Sequence, residues 1–221
     1  ENQSNIKGFE NVVGDSKDDV ISGDEGDNVI FGVGGNDNLS GGEGSDTLYG
    51  DSAVSNWRSY RDQYNMPYAY PHQRGDDVIK GDGGNDTILG GDGNDHLDGG
   101  TGADTITGGS GTDTFILRAG DGGSSLSDAD VFTDFKVGED VLGLDRSLRY
   151  SDLVITQGEA GNSRDTVIKT TSGEHLAILK NTTATDITAT SFTTLSTDPT
   201  VFDPTNLSPT SVSFVSSITE I

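Results

Sequence analysis

Large aliphatic residues recur through the first half of the chain in a column nine residues apart: Ile21, Ile30, Leu39 and Leu48, then Ile79, Ile88, Leu97, Ile106 and, as an aromatic, Phe115. Two residues before each stands an acid or its amide: Asp19, Asn28, Asp37, Asp46, Asp77, Asp86, Asp95, Asp104 and Asp113. The triplet around each aliphatic predicts a short strand whose central side chain faces inward while its neighbours face out. Gly41-Gly42-Glu43-Gly44-Ser45-Asp46-Thr47-Leu48-Tyr49 shows the whole unit, with glycine first, second and fourth, the acid sixth and the aliphatic eighth. Units in this register begin at Gly14, Gly23, Gly32, Gly41, Gly50, Gly81, Gly90, Gly99 and Gly108. The Gly50 unit is split, since residues 50–52 open it and residues 75–80 complete it. Residues 53–74 are therefore an insertion that leaves the scaffold as a loop while the register resumes unbroken.

Each part of the unit has a physical role. Glycines at the first, second and fourth positions permit backbone angles that a Cβ would forbid, and the turn curls until its carbonyls point at one spot. One unit cannot bury its eighth-position side chain alone, but two make one coil of a flattened helix, and coils stack about 4.8 Å apart. Every turn then lies over the turn two units earlier, across a gap lined by carbonyl and carboxylate oxygens. Hard oxygens are the ligands calcium prefers.

Composition sharpens this reading. The 221 residues carry 13 Lys+Arg against 37 Asp+Glu, a net charge of -24, which excludes a nucleic-acid binder. Hydrophobic residues make up 30% of the chain and glycine supplies 32 residues, too little apolar matter for a thick core. Between Gly14 and Ile116 there are 20 acidic and 5 basic residues, a net of -15, so most of the surplus lies on the repeats. Stacked carboxylates repel across a thin core, and a bound cation would supply the folding energy the core lacks. We therefore expect several Ca2+ ions, and a largely unfolded array without them. A solenoid of ordinary Asx and glycine turns needing no metal is the alternative. An EF-hand is excluded, because position 12 counted from Asp82 is Gly93.

No cysteine is present, so thiolate zinc and thiol nucleophiles are excluded. His72, His96 and His175 are scattered, and no H-E-x-x-H, G-x-S-x-G or G-x-G-x-x-G motif occurs. The reading is of a non-enzymatic protein. No apolar run is long enough to span a bilayer, and the chain starts at Glu1 without a signal peptide, as a processed protein or part of a longer one would.

The region from Gly14 to Ile116 resembles the RTX, or hemolysin-type, calcium-binding repeat family of bacterial proteins exported by type I secretion. The resemblance implies an all-β fold, a right-handed parallel β-roll (a calcium-stacked solenoid), with each calcium shared between turns two units apart. It implies side-chain ligands at the nine sixth positions named above. Main-chain ligands would come from Gly32, Gly35, Gly41, Gly42, Gly44, Gly81, Gly84, Gly90, Gly91, Gly93, Gly99, Gly100, Gly102, Gly108, Gly109 and Gly111. Asp15, Lys17 and Asn28 depart from the pattern, so weaker or missing sites are expected at the N-terminal end. Residues 117–195 look like the segment that follows the roll in serralysin-type proteins, and we expect a β-rich cap there, with strands at Leu153–Thr156, Thr166–Lys169 and His175–Leu179. Residues 1–13 read as a lead-in strand.

Residues 196–221 are rich in Ser, Thr and Pro, and Val212 to Ile221 is the candidate uncleaved secretion signal, with a frayed terminus or a docking segment as alternatives. The insertion holds Trp57, Tyr60, Tyr64, Tyr68 and Tyr70, together with Arg58 and Arg61. These aromatics either fold back over the roll as a satellite cluster or contact a partner, a cell-surface glycan or another copy of the chain. Arg74-Gly75-Asp76 belongs to the repeat register and carries no separate meaning. The expected function is a secreted, extracellular or cell-surface calcium-binding module, engaged by the type I secretion machinery during export and folded by calcium outside the cell. Two alternatives remain open: the C-terminal targeting module of a secreted hydrolase or polysaccharide-modifying enzyme, and a self-assembling surface-layer or filament subunit.

Overall fold

The computed structural model describes residues 11–14, 17–51, 74–146 and 148–195. Strands, numbered in chain order, alternate between two sheets. One sheet contains β1 (Asn11–Val13), β3 (Val29–Val33), β5 (Thr47–Asp51), β7 (Thr87–Asp92), β9 (Thr105–Ser110), β11 (Asp130–Phe132), β15 (His175–Leu179), β14 (Thr166–Thr170) and β13 (Leu153–Gln157), in that order. The other contains β2 (Val20–Ser22), β4 (Asn38–Glu43), β6 (Val78–Gly83), β8 (His96–Asp98), β10 (Thr114–Leu117), β12 (Val141–Leu144) and β16 (Phe192–Thr194). The chain crosses between sheets at every unit, and neighbouring strands along both stacks are parallel. The fold is a parallel β-roll.

Register explains the core. Ile30 pairs with Leu48, Leu48 with Ile88 and Ile88 with Ile106, while Ile21, Leu39, Ile79, Leu97 and Phe115 form the matching column opposite. From Ile30 to Phe115 every eighth-position side chain is 0% exposed. Each contributes about 1.5–3 kcal/mol by leaving water. Ladder partners are 18 residues apart within uninterrupted units and 40 apart across the insertion, and the 22-residue difference equals the length of segment 53–74. Many strands outrun the triplet that predicts them: β6 and β9 each extend to six residues and enter the next glycine turn.

Parallel stacking runs on past Ile116. β11 lies on β9 and β12 on β10, and β15 and β16 then add to the same two stacks. Rings take over from aliphatics here, with Phe115 4.8 Å from Phe132 and 5.6 Å from Phe135 between centroids. The three segments predicted as strands beyond the repeats are β13, β14 and β15, paired antiparallel so that they close one end of the first sheet. Arg118 bridges the buried Asp98 of the array and Asp145 beyond it. A separate apolar cluster forms outside the roll, where the ninth-position rings of Phe31 and Tyr49 stack at 4.6 Å and pack with Val33.

The insertion residues Trp57, Tyr60, Tyr64, Tyr68 and Tyr70 lie outside the described residues, as does the tail from 196 to 221 with its candidate secretion signal.

Candidate metal sites

The turns bring the sixth-position residues into two rows. In one row, Asp19 N–H donates to Asp37 Oδ1 (2.8 Å), Asp37 N–H to Asp77 Oδ1 (2.7 Å), Asp77 N–H to Asp95 Oδ1 (2.9 Å) and Asp95 N–H to Asp113 Oδ1 (3.1 Å). In the other, Asn28 N–H donates to Asp46 Oδ1 (2.7 Å), Asp46 N–H to Asp86 Oδ1 (2.7 Å) and Asp86 N–H to Asp104 Oδ1 (2.8 Å). One oxygen of each carboxylate thus fixes the coil spacing. The second is left over: Oδ2 of Asp37, Asp46, Asp77, Asp86, Asp95, Asp104 and Asp113 is buried without a hydrogen-bond partner. Native interiors rarely leave such groups orphaned, and a run of them in line points to an unsupplied positive partner.

Turn carbonyls meet these oxygens. A Cβ on Gly81 would come within 3.0 Å of both Asp86 Oδ2 and the Gly99 carbonyl, and one on Gly90 within 3.0 Å of Asp95 Oδ2 and the Gly108 carbonyl. First-position glycines are therefore required by close approach, since none of Gly32, Gly41, Gly81, Gly90, Gly99 and Gly108 has a positive φ. This differs from the expectation that all three glycines serve backbone angles. Positive φ belongs to the second and fourth positions, from +89° at Gly100 to +157° at Gly93. Gly35, Gly42, Gly44, Gly84, Gly91, Gly102, Gly109 and Gly111 share it, and at the second position even Val33 (+94°) and Asp82 (+74°) adopt it.

Burial without a counter-ion displaces the carboxyl groups strongly. It pushes Asp37 up to about 9, Asp95 to about 8, Asp77 and Asp86 to about 7, and Asp46 and Asp113 to about 6. Neighbouring carboxylates of the same rows add to the push, as Asp77 does at Asp37. Among the described residues no three acidic, His or Cys side chains gather into a metal cluster. A cation held here must draw on main-chain carbonyls as well as carboxylates. Such an all-oxygen set fits calcium and suits no softer metal.

The N-terminal members differ, as orphaned oxygens begin only at Asp37. The Asn28 side chain is satisfied locally, its Oδ1 accepting from Asp24 N–H at 2.8 Å. Three buried acids of the turns stand outside the nine sixth positions. Asp104 N–H donates to Asp130 Oδ1 and Asp113 N–H to Asp140 Oδ1, each at 3.1 Å, so both rows extend one coil further than the repeats. Their spacings of 26 and 27 residues hide them, although Asp130-Val131-Phe132 and Asp140-Val141-Leu142 keep the acid and the eighth-position apolar residue two apart. Asp51, at a second position, is 4% exposed, accepts Gly75 N–H on Oδ2 and keeps an orphaned Oδ1.

Segments 7–39, 31–53, 73–97 and 89–123 match the RTX calcium-binding nonapeptide repeat, in four copies. The chain carries an RTX array. RTX nonapeptide repeats are structural modules that bind multiple calcium ions, and they are characteristic of secreted, extracellular proteins exported by type I systems. A similar solved structure is the solution structure of the AlgE6R3 subunit from the Azotobacter vinelandii mannuronan C5-epimerase. It is 20% identical over 97% of this chain and 98% of its own, with a TM-score of 0.36. No curated protein matches the chain. Among the described residues no helix is long and apolar enough to cross a membrane.

Proposed function

We propose that this RTX array is a calcium-conditional folding module of a secreted protein, exported unfolded through a type I system and folded by calcium outside the cell. The observation that supports it is the run of seven buried, unpartnered sixth-position Oδ2 atoms in two rows. Asp37, Asp77, Asp95 and Asp113 hold the ions of one row, and Asp46, Asp86 and Asp104 those of the other. Carbonyls of the first-, second- and fourth-position glycines complete each set, among them Gly81, Gly84, Gly90, Gly91, Gly93, Gly99, Gly100, Gly102 and Gly108. Asp19 and Asn28 hold calcium weakly or not at all. Bound calcium supplies charge neutralisation between coils. The chain itself supplies the spacing, through the N–H to Oδ1 ladder, and the dry column behind it. Low calcium inside the cell keeps the same acids mutually repelling, which suits a chain that must travel unfolded.

Hydrogen exchange tests the assignment residue by residue. Amides of Asp46, Asp77 and Asp86, which donate across the gaps, should exchange slowly in calcium and at unfolded rates in chelator. Equal protection of these amides in both conditions would remove calcium from the account.

A further inference from the structure

Residues 53–74 cut a turn that the stack needs whole. Asp77, which belongs to that turn, is tied to Asp37 on one side and Asp95 on the other by the N–H to Oδ1 ladder. Both halves of the cut turn keep their places. A Cβ on Gly50 would meet Asp77 Oδ2 and the Gly90 carbonyl, as at the other first positions. Gly75 continues the fourth-position column: its own Cβ would strike the Gly35 carbonyl, and its carbonyl stands where a Cβ on Gly93 would go.

The main chain at the cut is nevertheless different. From the Gly32 unit to the Gly108 unit, every second and fourth position has a positive φ except Asp51 and Gly75. At Gly42, Gly100 and Gly109 the nearest obstacle to a Cβ is the second-position carbonyl of the coil before, from Asp24, Asp82 and Gly91 respectively. At Gly91 the Cβ of Asp51 takes that place, and no oxygen is among the three nearest atoms. The Asp51 side chain is buried, and its Oδ2 accepts from Gly75 N–H at 2.8 Å, across the cut. Gly75 N–H also reaches the Asp92 carbonyl at 3.2 Å, a bond that Gly84 and Gly93 make to the next coil at 2.9 and 2.8 Å. The added bond to Asp51 is thus peculiar to the split unit.

We propose that the Asp51 carboxylate is a bridge that holds the cut turn closed in place of the missing peptide link, keeping the calcium gaps on both sides of Asp77 intact. Holding the ends of a 22-residue loop together costs closure entropy, and a charge-assisted hydrogen bond out of water offsets it. Asp51 is then a positioning residue for the ions, and the array can carry residues 53–74 without loss of its stacking. The inference rests on the calcium reading above.

Ser52 and Gly75 are the third and fourth positions of one unit, so deleting residues 53–74 and joining Ser52 to Gly75 restores an unbroken nonapeptide with a peptide link where the bridge stood. Folding is followed by circular dichroism against free calcium in the full and the joined chain, and bound calcium is counted by native mass spectrometry. In the full chain Asp51→Ala should raise the calcium midpoint several-fold and lower the number of ions bound at a concentration that saturates wild type. Asp51→Asn keeps an oxygen for Gly75 N–H and should restore both. The joined chain should fold in calcium, and Asp51→Ala should change neither reading there. A wild-type midpoint and count for Asp51→Ala in the full chain overturns the proposal, as does a joined chain that stays unfolded in saturating calcium. Weakened binding in Asp51→Asn, or equal harm from Asp51→Ala in both chains, would make Asp51 a ligand and overturn it too. Absence of calcium from wild type itself would instead overturn the calcium reading on which the proposal stands.

Discussion

Acidifying the calcium-free protein should restore β structure that is missing at neutral pH. Every carboxyl displaced in the rows has a folded value above the ordinary 3.8, so folding is unpenalised below about pH 4 and loses stability as pH rises. One unit of displacement corresponds to about 1.4 kcal/mol. Asp46 and Asp113, pushed to about 6, then cost about 3 kcal/mol each at pH 7. Asp77 and Asp86, at about 7, cost about 4 kcal/mol each. Asp37 and Asp95 stay protonated in the fold at pH 7 and cost a similar amount, about 4 kcal/mol each, because the unfolded chain would ionise them. Four such groups together reach the upper end of the roughly 5–15 kcal/mol by which domains are stable at all. Far-ultraviolet circular dichroism of calcium-stripped protein between pH 4 and pH 8 reads this directly. The β signal should grow toward pH 4 and fade above about pH 6. A calcium-free signal that is constant with pH, or that weakens on acidification, would refute the reasoning.

Single substitutions separate the parts of the device. Asp95→Asn keeps an oxygen for the Asp77 N–H but loses the charge, so the calcium midpoint of folding should rise several-fold; an unchanged midpoint in a calcium titration would show that Asp95 is no ligand. Gly84→Ala places a Cβ against the Gly44 carbonyl at a φ of +129°, and should cost more than about 3 kcal/mol, enough to prevent folding even in saturating calcium as read by circular dichroism. Leu97→Ala, in the 0% exposed column, should cost about 2–5 kcal/mol in urea unfolding at saturating calcium without changing the number of ions bound.

The roll was legible because one short unit repeats, and each copy constrains the others. Nine apolar side chains in phase locate both sheets, and the return of the phase at Asp77 and Ile79 is matched by the pairing of Ile79 with Leu39 across the 40-residue gap. The sixth-position acids were legible for the same reason, since a buried column of acids has no purpose in a solenoid held by apolar contacts alone. Asp130 and Asp140 were not, because the connections before them lengthen and no glycine stands at the first or second position (Ser125 and Leu126, Phe135 and Lys136) while the ladder bond survives. Phe31 and Tyr49 stand at ninth positions that alternate outward, so their burial at 2% and 7% exposure depends on a second apolar cluster outside the roll that strand periodicity does not encode.

Calcium-driven folding of the roll can be read in one experiment. Circular dichroism of the purified protein, first in chelator and then through a titration to millimolar calcium with bound ions counted in parallel, tests it most directly. Little β structure is expected in chelator, with a cooperative gain as several ions bind. A chain equally folded at both ends of the titration would contradict it.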